Sequence, residues 1–422
     1  MSTLPEKYYA VLLHGRRIGT LCQKGDYTRF VFSESYLDDA QRPVLGLRFE
    51  ENLRAPYSSA LRLPKWFSNL LPEGPLREWI ADDRGVSLDR EMELLAQVGN
   101  DLPGAVQVLP AEGPDDGWEW PDGSESGSRP GGAYGFPSDS PWRFSLAGVA
   151  LKFSMLAHGD RLTVPAAGVH GDWLVKFPDY RHQDVPRNEF TIMSLARAAG
   201  LDVPDVRLVH RDELEGLPDR MWPNAEQWAY AVKRFDRTYD ERRSPVHIED
   251  FAQVRDKYPR DKYQSTFETV AAISYRGHDL TSLREAARRI AFSVVIGNGD
   301  AHLKNWSLIY RDQRNPALSP VYDLVSTVPY SPGDEPEDLG LKFGGSKSFE
   351  RVRLATFERL ESALNQRFGT SGAHLLVTAI DTVRRVRETW PAHEESLAAN
   401  PELRREVGDW IDRTARRLLE GS

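Results

Sequence analysis

A chain of 422 residues is longer than a single core usually supports, so two or three domains are expected. Its 40% hydrophobic and 28% charged content excludes a disordered or fibrous protein, and its net charge of −9 argues against one whose main task is gripping nucleic acid. The single cysteine, Cys22, excludes an internal disulfide, and no run approaches the ~18 apolar residues of a membrane span, so a cytoplasmic location without membrane contact is expected.

Apolar residues at 8–13 and 18–21 around His14-Gly15 predict two strands joined by a tight turn, and 27–32 predicts a third. Short helices are expected over 64–80, broken at Pro72-Glu73-Gly74-Pro75. From 111 to 142 the chain turns to Gly, Ser, Pro and Asp, with few aliphatic groups to offset the entropy of ordering, and reads as a linker. A buried strand over 173–177 stops at Pro178, and a helix over 187–199 follows, with Gly200 beyond its end. Strands are expected again over 206–209 and 228–232. Past Arg237 the pattern is mainly helical, clearest where Leu283, Ala286, Ala287, Ile290 and Val294 share one face and the helix stops at Gly297-Asn298-Gly299. A strand over 306–310, a polar turn and Val321-Tyr322-Asp323 read as a strand-turn-strand hairpin, and more helices fill the last hundred residues.

The stretch I-G-N-G-D-A-H-L-K-N-W at 296–306 is a Gly-rich turn that presents polar side chains just after a long helix. Phosphoryl transfer needs a carboxylate to position the accepting hydroxyl and a second polar ligand for magnesium, and Asp300 and Asn305 stand at that spacing, with Asp323 as a second metal carboxylate. Alone, the turn reads equally well as Asp300 satisfying backbone amides, and Asp300 with His302 could form a metal pair, though no further ligand stands at suitable spacing. Upstream, residues 145–152 form a small-residue loop whose amides could approach phosphates. Lys176 ends an apolar strand, Glu189 lies at the start of the next helix, and Arg234-Phe235 stands where a hinge would meet adenine. That order, from loop through strand lysine, helix glutamate and hinge to catalytic turn and metal Asp, is the order of a protein kinase. A small-molecule phosphotransferase shares the Asp-to-Asn spacing, and a non-catalytic partner of a DNA-binding protein is the reading from another class.

The motifs S-L-A-G-V-x-x-K at 145–152, N-G-D-x-H-x-K-N at 298–305 and V-Y-D-L-V-S at 321–326 together resemble HipA-type serine/threonine kinase toxins of toxin-antitoxin systems. The stretches F-S-N-L-L-P-E-G at 67–74 and G-N-D-L-P-G-A-V at 99–106 extend the likeness to the amino-terminal part. The resemblance implies an α+β chain: a small mixed domain over 1–110, a linker over 111–142, a kinase N-lobe-like part over 143–238 and a mainly helical C-lobe over 239–422. It implies ATP and Mg2+ as cofactors, Asp300 as catalytic base, and Asn305 and Asp323 as metal ligands. The nucleotide would meet Ala147, Gly148, Val149, Ala150, Leu151, Lys152, Lys176, Lys233, Arg234, Phe235, His302, Lys304, Asn305, Tyr322 and Asp323, with Glu189 supporting Lys176. Ser145 would be the serine whose autophosphorylation silences the enzyme, nearly two added negative charges beside a triphosphate being a direct electrostatic switch. The family loop commonly carries Gln where this chain has Ala150 and Leu151. The implied partners are a small helix-turn-helix antitoxin, operator DNA through that antitoxin, and a protein substrate of the kind the family includes among its targets, the aminoacyl-tRNA synthetases.

Overall fold

The structure is a computed structural model and describes residues 6–114, 152–159, 161–164, 171–217, 221–240, 242–331 and 337–420. Strands β1 (Glu6–Leu13) and β2 (Arg16–Lys24) pair antiparallel across His14 and Gly15. Both turn residues have positive φ, +52° and +75°, the backbone of the two-residue turn whose twist matches the flanking strands. β3 (Tyr27–Phe32), β4 (Tyr57–Ala60) and β5 (Val106–Ala111) complete a sheet of order β4-β3-β2-β1-β5. Alternation along β1 sends Tyr9, Val11 and Leu13 inward onto Phe67, Leu70 and Leu71 and the helices Gly74–Arg84 and Glu91–Val98.

A second sheet runs β10-β7-β6-β8-β11-β9, formed by β6 (Lys152–His158), β7 (Arg161–Thr163), β8 (Trp173–Lys176), β9 (Val206–His210), β10 (Leu214–Glu215) and β11 (Trp228–Lys233). Its two faces belong to two different cores. Phe153, Met155, Val175, Val209, Ala229 and Ala231 join the core of the first domain, with Trp79 and Phe153 rings 5.4 Å apart. Tyr230 and Val232, one residue out of phase, face the helix Val185–Ala198 and the carboxy-terminal core. Buried charge reinforces the junction: Arg237 donates to Asp101 at 2.7 Å, and Arg234 and Arg237 both grip Asp236, which also accepts from the Gly104 amide at 2.9 Å. Burial alone would raise the Asp236 pKa, but the two guanidiniums overcome it and hold it at about 2.

The carboxy-terminal part centres on the helix Leu280–Ile296, whose expected face, Leu283 to Val294, is fully buried. Asp279 caps its start by accepting from the Ser282 amide, and Gly297 at φ +67° ends it, where a Cβ would run into Val328 and Trp410. A small sheet of β12 (His247–Asp250), β13 (Ser307–Tyr310) and β14 (Ala317–Leu318) lies beside it, and β15 (Asp338–Phe343) pairs with β16 (Ser346–Ser348). The expected hairpin is corrected here. Pro316 and Pro320 cannot donate to a ladder, so the returning strand is confined to Ala317–Leu318 and residues 321–323 lie beyond it in irregular chain. Three helices, Leu354–Phe368, Leu375–His393 and Pro401–Glu420, close the fold. Among the described residues no helix is long and apolar enough to cross a membrane. The linker, apart from 111–114, lies outside the described residues, as do Ser145 and positions 147–151 of the small-residue loop.

Candidate active site

The cleft lies where the second sheet, the helix Val185–Ala198 and the turn after Leu280–Ile296 converge. Lys176 is the last residue of β8, on the face opposite Val175, and its side chain is 9% exposed. Its Nζ donates to Glu189 Oε1 at 2.5 Å and also to Asp323 Oδ1. Asp323 reaches it from a backbone at φ +56°, a left-handed conformation that is unfavourable for a residue with a Cβ and that turns this carboxylate into the cleft. Lys152 stands directly across from Lys176 in the β6–β8 register and is equally buried. Desolvation, and then the neighbouring Lys176 charge, pull its pKa down to about 7. The two lysines share this site with the carboxylates of Glu189 and Asp323.

The catalytic turn is built by its own hydrogen bonds. Asn298 Oδ1 accepts from the Asp300 amide at 3.0 Å, Thr327 Oγ1 accepts from the Gly299 amide at 2.8 Å, and Asn305 Nδ2 donates to the Asp300 carbonyl at 2.8 Å. Because Asn305 uses its amino group this way, its Oδ1 is the end left to ligate a cation. The Asp300 carboxylate accepts from the Tyr263 hydroxyl. The cleft walls raise its pKa, with that hydrogen bond and Lys262 and Lys176 opposing, although 48% of the side chain is open to solvent.

The other expected nucleotide residues divide. Phe235 and Tyr322 bring their rings to 5.6 Å, and the Tyr322 hydroxyl donates to the Lys304 carbonyl at 2.9 Å. Lys233 lies over the Tyr239 ring, and Arg234 is committed to the Asp236 network. Lys304 donates to the Asn69 carbonyl at 2.8 Å and to Asp250 at 3.0 Å. His302 is buried beside Tyr263, and burial, then the nearby Lys262 charge, lower its pKa to about 3 and keep it neutral. As a metal pair with Asp300 it gains nothing further: among the described residues no three His, Cys, Asp or Glu side chains form a cluster able to hold a metal. Asn305 and Asp323 instead offer hard oxygen donors, suited to a magnesium ion that shares its shell with phosphates.

Two family descriptions match the chain: a HipA-like C-terminal domain over residues 144–390 and a HipA N-terminal domain over residues 9–109. "Putative kinase Y4dM" of Sinorhizobium fredii is 41% identical over 95% of this chain and 95% of its own length. This chain belongs to the HipA family. The "Serine/threonine-protein kinase toxin HipA" of Shewanella oneidensis is 27% identical over 62% of each chain. A solved structure of a Shewanella oneidensis toxin-antitoxin complex of HipA, HipB and operator DNA superposes with a TM-score of 0.72 at 20% identity, covering 98% of this chain and 97% of that one, which identifies the fold. The HipA fold here is the α+β arrangement described above, an amino-terminal sheet domain followed by a larger kinase-like domain.

Sequence reasoning missed four residues of this HipA site. Tyr263, on Asp300, and Lys262 beside it lie in a polar segment without periodicity. Asn69 and Glu73 belong to the 67–74 stretch that marked the amino-terminal domain, but nothing in the sequence ties them to a turn more than 220 positions away.

Proposed function

We propose that this HipA-family chain is a serine/threonine protein kinase of a toxin-antitoxin pair, using ATP and Mg2+. The observation that carries the reading is Lys176, held between Glu189 and Asp323 in the cleft that also holds Asp300 and Asn305. In that reading Asp300 orients the acceptor hydroxyl and takes its proton, and Lys176 and Lys152 neutralise the phosphates. Asn305 Oδ1 and Asp323 hold the cation, which when bound offsets the charge on the transferring group. Lys233, Phe235 and Tyr322 line the adenine end, and the 145–152 loop covers the phosphates. His302 and Lys304 support the turn from behind.

Ser145 is the proposed site of self-phosphorylation and inactivation, and the proposed partner is a small helix-turn-helix antitoxin. An acidic chain of net charge −9 would reach operator DNA through that partner. The external substrate is a serine on a cytoplasmic protein, with aminoacyl-tRNA synthetases as the first class to assay. The test is incubation of the purified chain with Mg2+ and γ-labelled ATP. Label on the chain, mapped to Ser145 by mass spectrometry and abolished by Asp300→Asn, is the expected result. Label passing to an aminoglycoside or choline with none on protein would replace this reading with a small-molecule kinase.

A further inference from the structure

We propose that Glu73, supplied by the amino-terminal domain, is a positioning residue for the catalytic turn: its carboxylate bridges Lys262 and Lys304 and so fixes the turn that carries Asp300 and Asn305. The proposal rests on the kinase reading and adds to it a structural requirement for the amino-terminal domain. Glu73 immediately precedes the helix Gly74–Arg84. Its Oε2 accepts from Lys262 Nζ at 2.9 Å, and its Oε1, buried and without a hydrogen-bond partner, faces Lys304 Nζ at 3.8 Å. The three side chains are 16%, 8% and 4% exposed.

Each lysine borders the turn in a different way. Lys304 is the residue before Asn305, and its ammonium also meets the Asn69 carbonyl at 2.8 Å, Asn69 Oδ1 at 3.2 Å and Asp250 at 3.0 Å. Asn69 is itself oriented by donating to the Lys65 and Lys257 carbonyls. The Lys262 carbonyl accepts from the Leu303 amide at 3.1 Å, and the next residue, Tyr263, donates to Asp300. The turn is thus held along one side by Lys304 and the other by the 262–263 segment, and Glu73 is the group common to both.

Charge explains why a carboxylate is needed there. Glu73 and Asp250 balance Lys262 and Lys304, so the buried quartet is neutral. Removing one carboxylate leaves a surplus cation shut away from water, which a low-dielectric site tolerates poorly. Lys262, once released, has Asp300 within electrostatic reach. The turn would then be drawn out of place by the same lysine that now steadies it.

The experiment compares the full chain with Glu73→Gln, Glu73→Asp and a control, Lys65→Met, which breaks the half-exposed Lys65–Asp256 pair on the same domain interface without touching the turn. Phosphoryl transfer, KM for ATP and thermal unfolding are measured for each. Glu73→Gln should lower kcat about 10- to 100-fold, the cost of a misplaced catalytic group, and raise KM for Mg-ATP by a smaller factor as Asn305 shifts with the turn; Glu73→Asp should recover part of both losses, and Lys65→Met should match the parent. A parental kcat in Glu73→Gln, or an equal fall in Lys65→Met, overturns the proposal. Should Glu73→Gln fail to fold, the double variant Glu73→Gln with Lys262→Met removes the bridge without leaving a lone charge, and its kcat decides by the same criteria. Absence of transfer by the unsubstituted chain would instead overturn the kinase reading on which the proposal rests.

Discussion

Lys176 and Glu189 lie thirteen positions apart, one ending a strand and one in the first half of a helix, and their side chains meet in a buried ion pair of 2.5 Å. The same ammonium also holds Asp323. In the proposed mechanism Glu189 sets how Lys176 is shared: while the glutamate competes for it, Asp323 is not the only acceptor and would be free to meet a cation.

Glu189→Gln should let Lys176 settle wholly on Asp323. In thermal-shift measurements the variant should show a smaller stabilisation by Mg-ATP than the parent, because the nucleotide must first separate a tighter pair. A shift of parental size would show that Glu189 has no such influence.

Tyr263 donates its hydroxyl to Asp300, and in the proposed mechanism an acceptor hydroxyl would take that place. A hydrogen bond to a charged group is worth about 1.5–3 kcal/mol, and an incoming acceptor must displace it. Tyr263→Phe should lower KM for the protein acceptor by about tenfold, the equivalent of ~1.4 kcal/mol, while leaving kcat near the parental value. Steady-state kinetics with a fixed acceptor would check this.

Gly340, on β15, packs its backbone against the catalytic turn. A Cβ there would stand 2.8 Å from the Ala301 amide nitrogen and 2.9 Å from the Gly299 carbonyl oxygen, both backbone atoms with little room to give. Gly340→Ala should cost about 1–3 kcal/mol of stability, as overpacking does, and should lower kcat because the displacement falls on the residues flanking Asp300. Denaturant unfolding and kcat together test it.

Glu249 is fully buried at the domain junction, accepting from the Leu47 amide, the Trp66 indole and the Tyr310 hydroxyl. Burial pushes its pKa up to about 7, with those bonds opposing and Asp250 adding to the rise. A raised carboxyl pKa favours the folded state while the group is protonated. Its contribution is complete below about pH 4.5 and is lost as pH climbs to about 7, a change on the order of 3 kcal/mol. His247 nearby, lowered by burial to about 3, acts in the opposite direction below pH 6.5. The difference between parent and Glu249→Gln isolates the carboxyl: unfolding midpoints between pH 5 and 8 should fall for the parent relative to the variant.

Much of the candidate site was legible because it is written in local patterns. Lys176 ends a short apolar strand, Glu189 lies in the first half of an amphipathic helix, and the Asp300 turn follows a helix that ends at a glycine in left-handed conformation. What escaped notice depends on pairs remote in sequence. The family resemblance implied Lys304 along the nucleotide; its ammonium meets Asn69 and Asp250, which no spacing rule connects to it. Arg234 stood at an expected hinge, and its guanidinium is taken up by Asp236 two positions on and by the remote Asp101. The two-residue β14 and the short β12 carry too few alternating positions to register as strands.

The sheet formed by residues 152–233 is shared between two cores. Phe153, Met155, Val175, Ala229 and Ala231 pack on the amino-terminal core, and Tyr230 and Val232 on the helical one. Cutting the chain between the two family regions would leave Phe153, Met155, Val175, Ala229 and Ala231 facing water, a sticky surface on the larger fragment. The two halves can therefore be encoded or expressed apart only if they find each other again, and a lineage that split them would have to keep both sides of this seam in step.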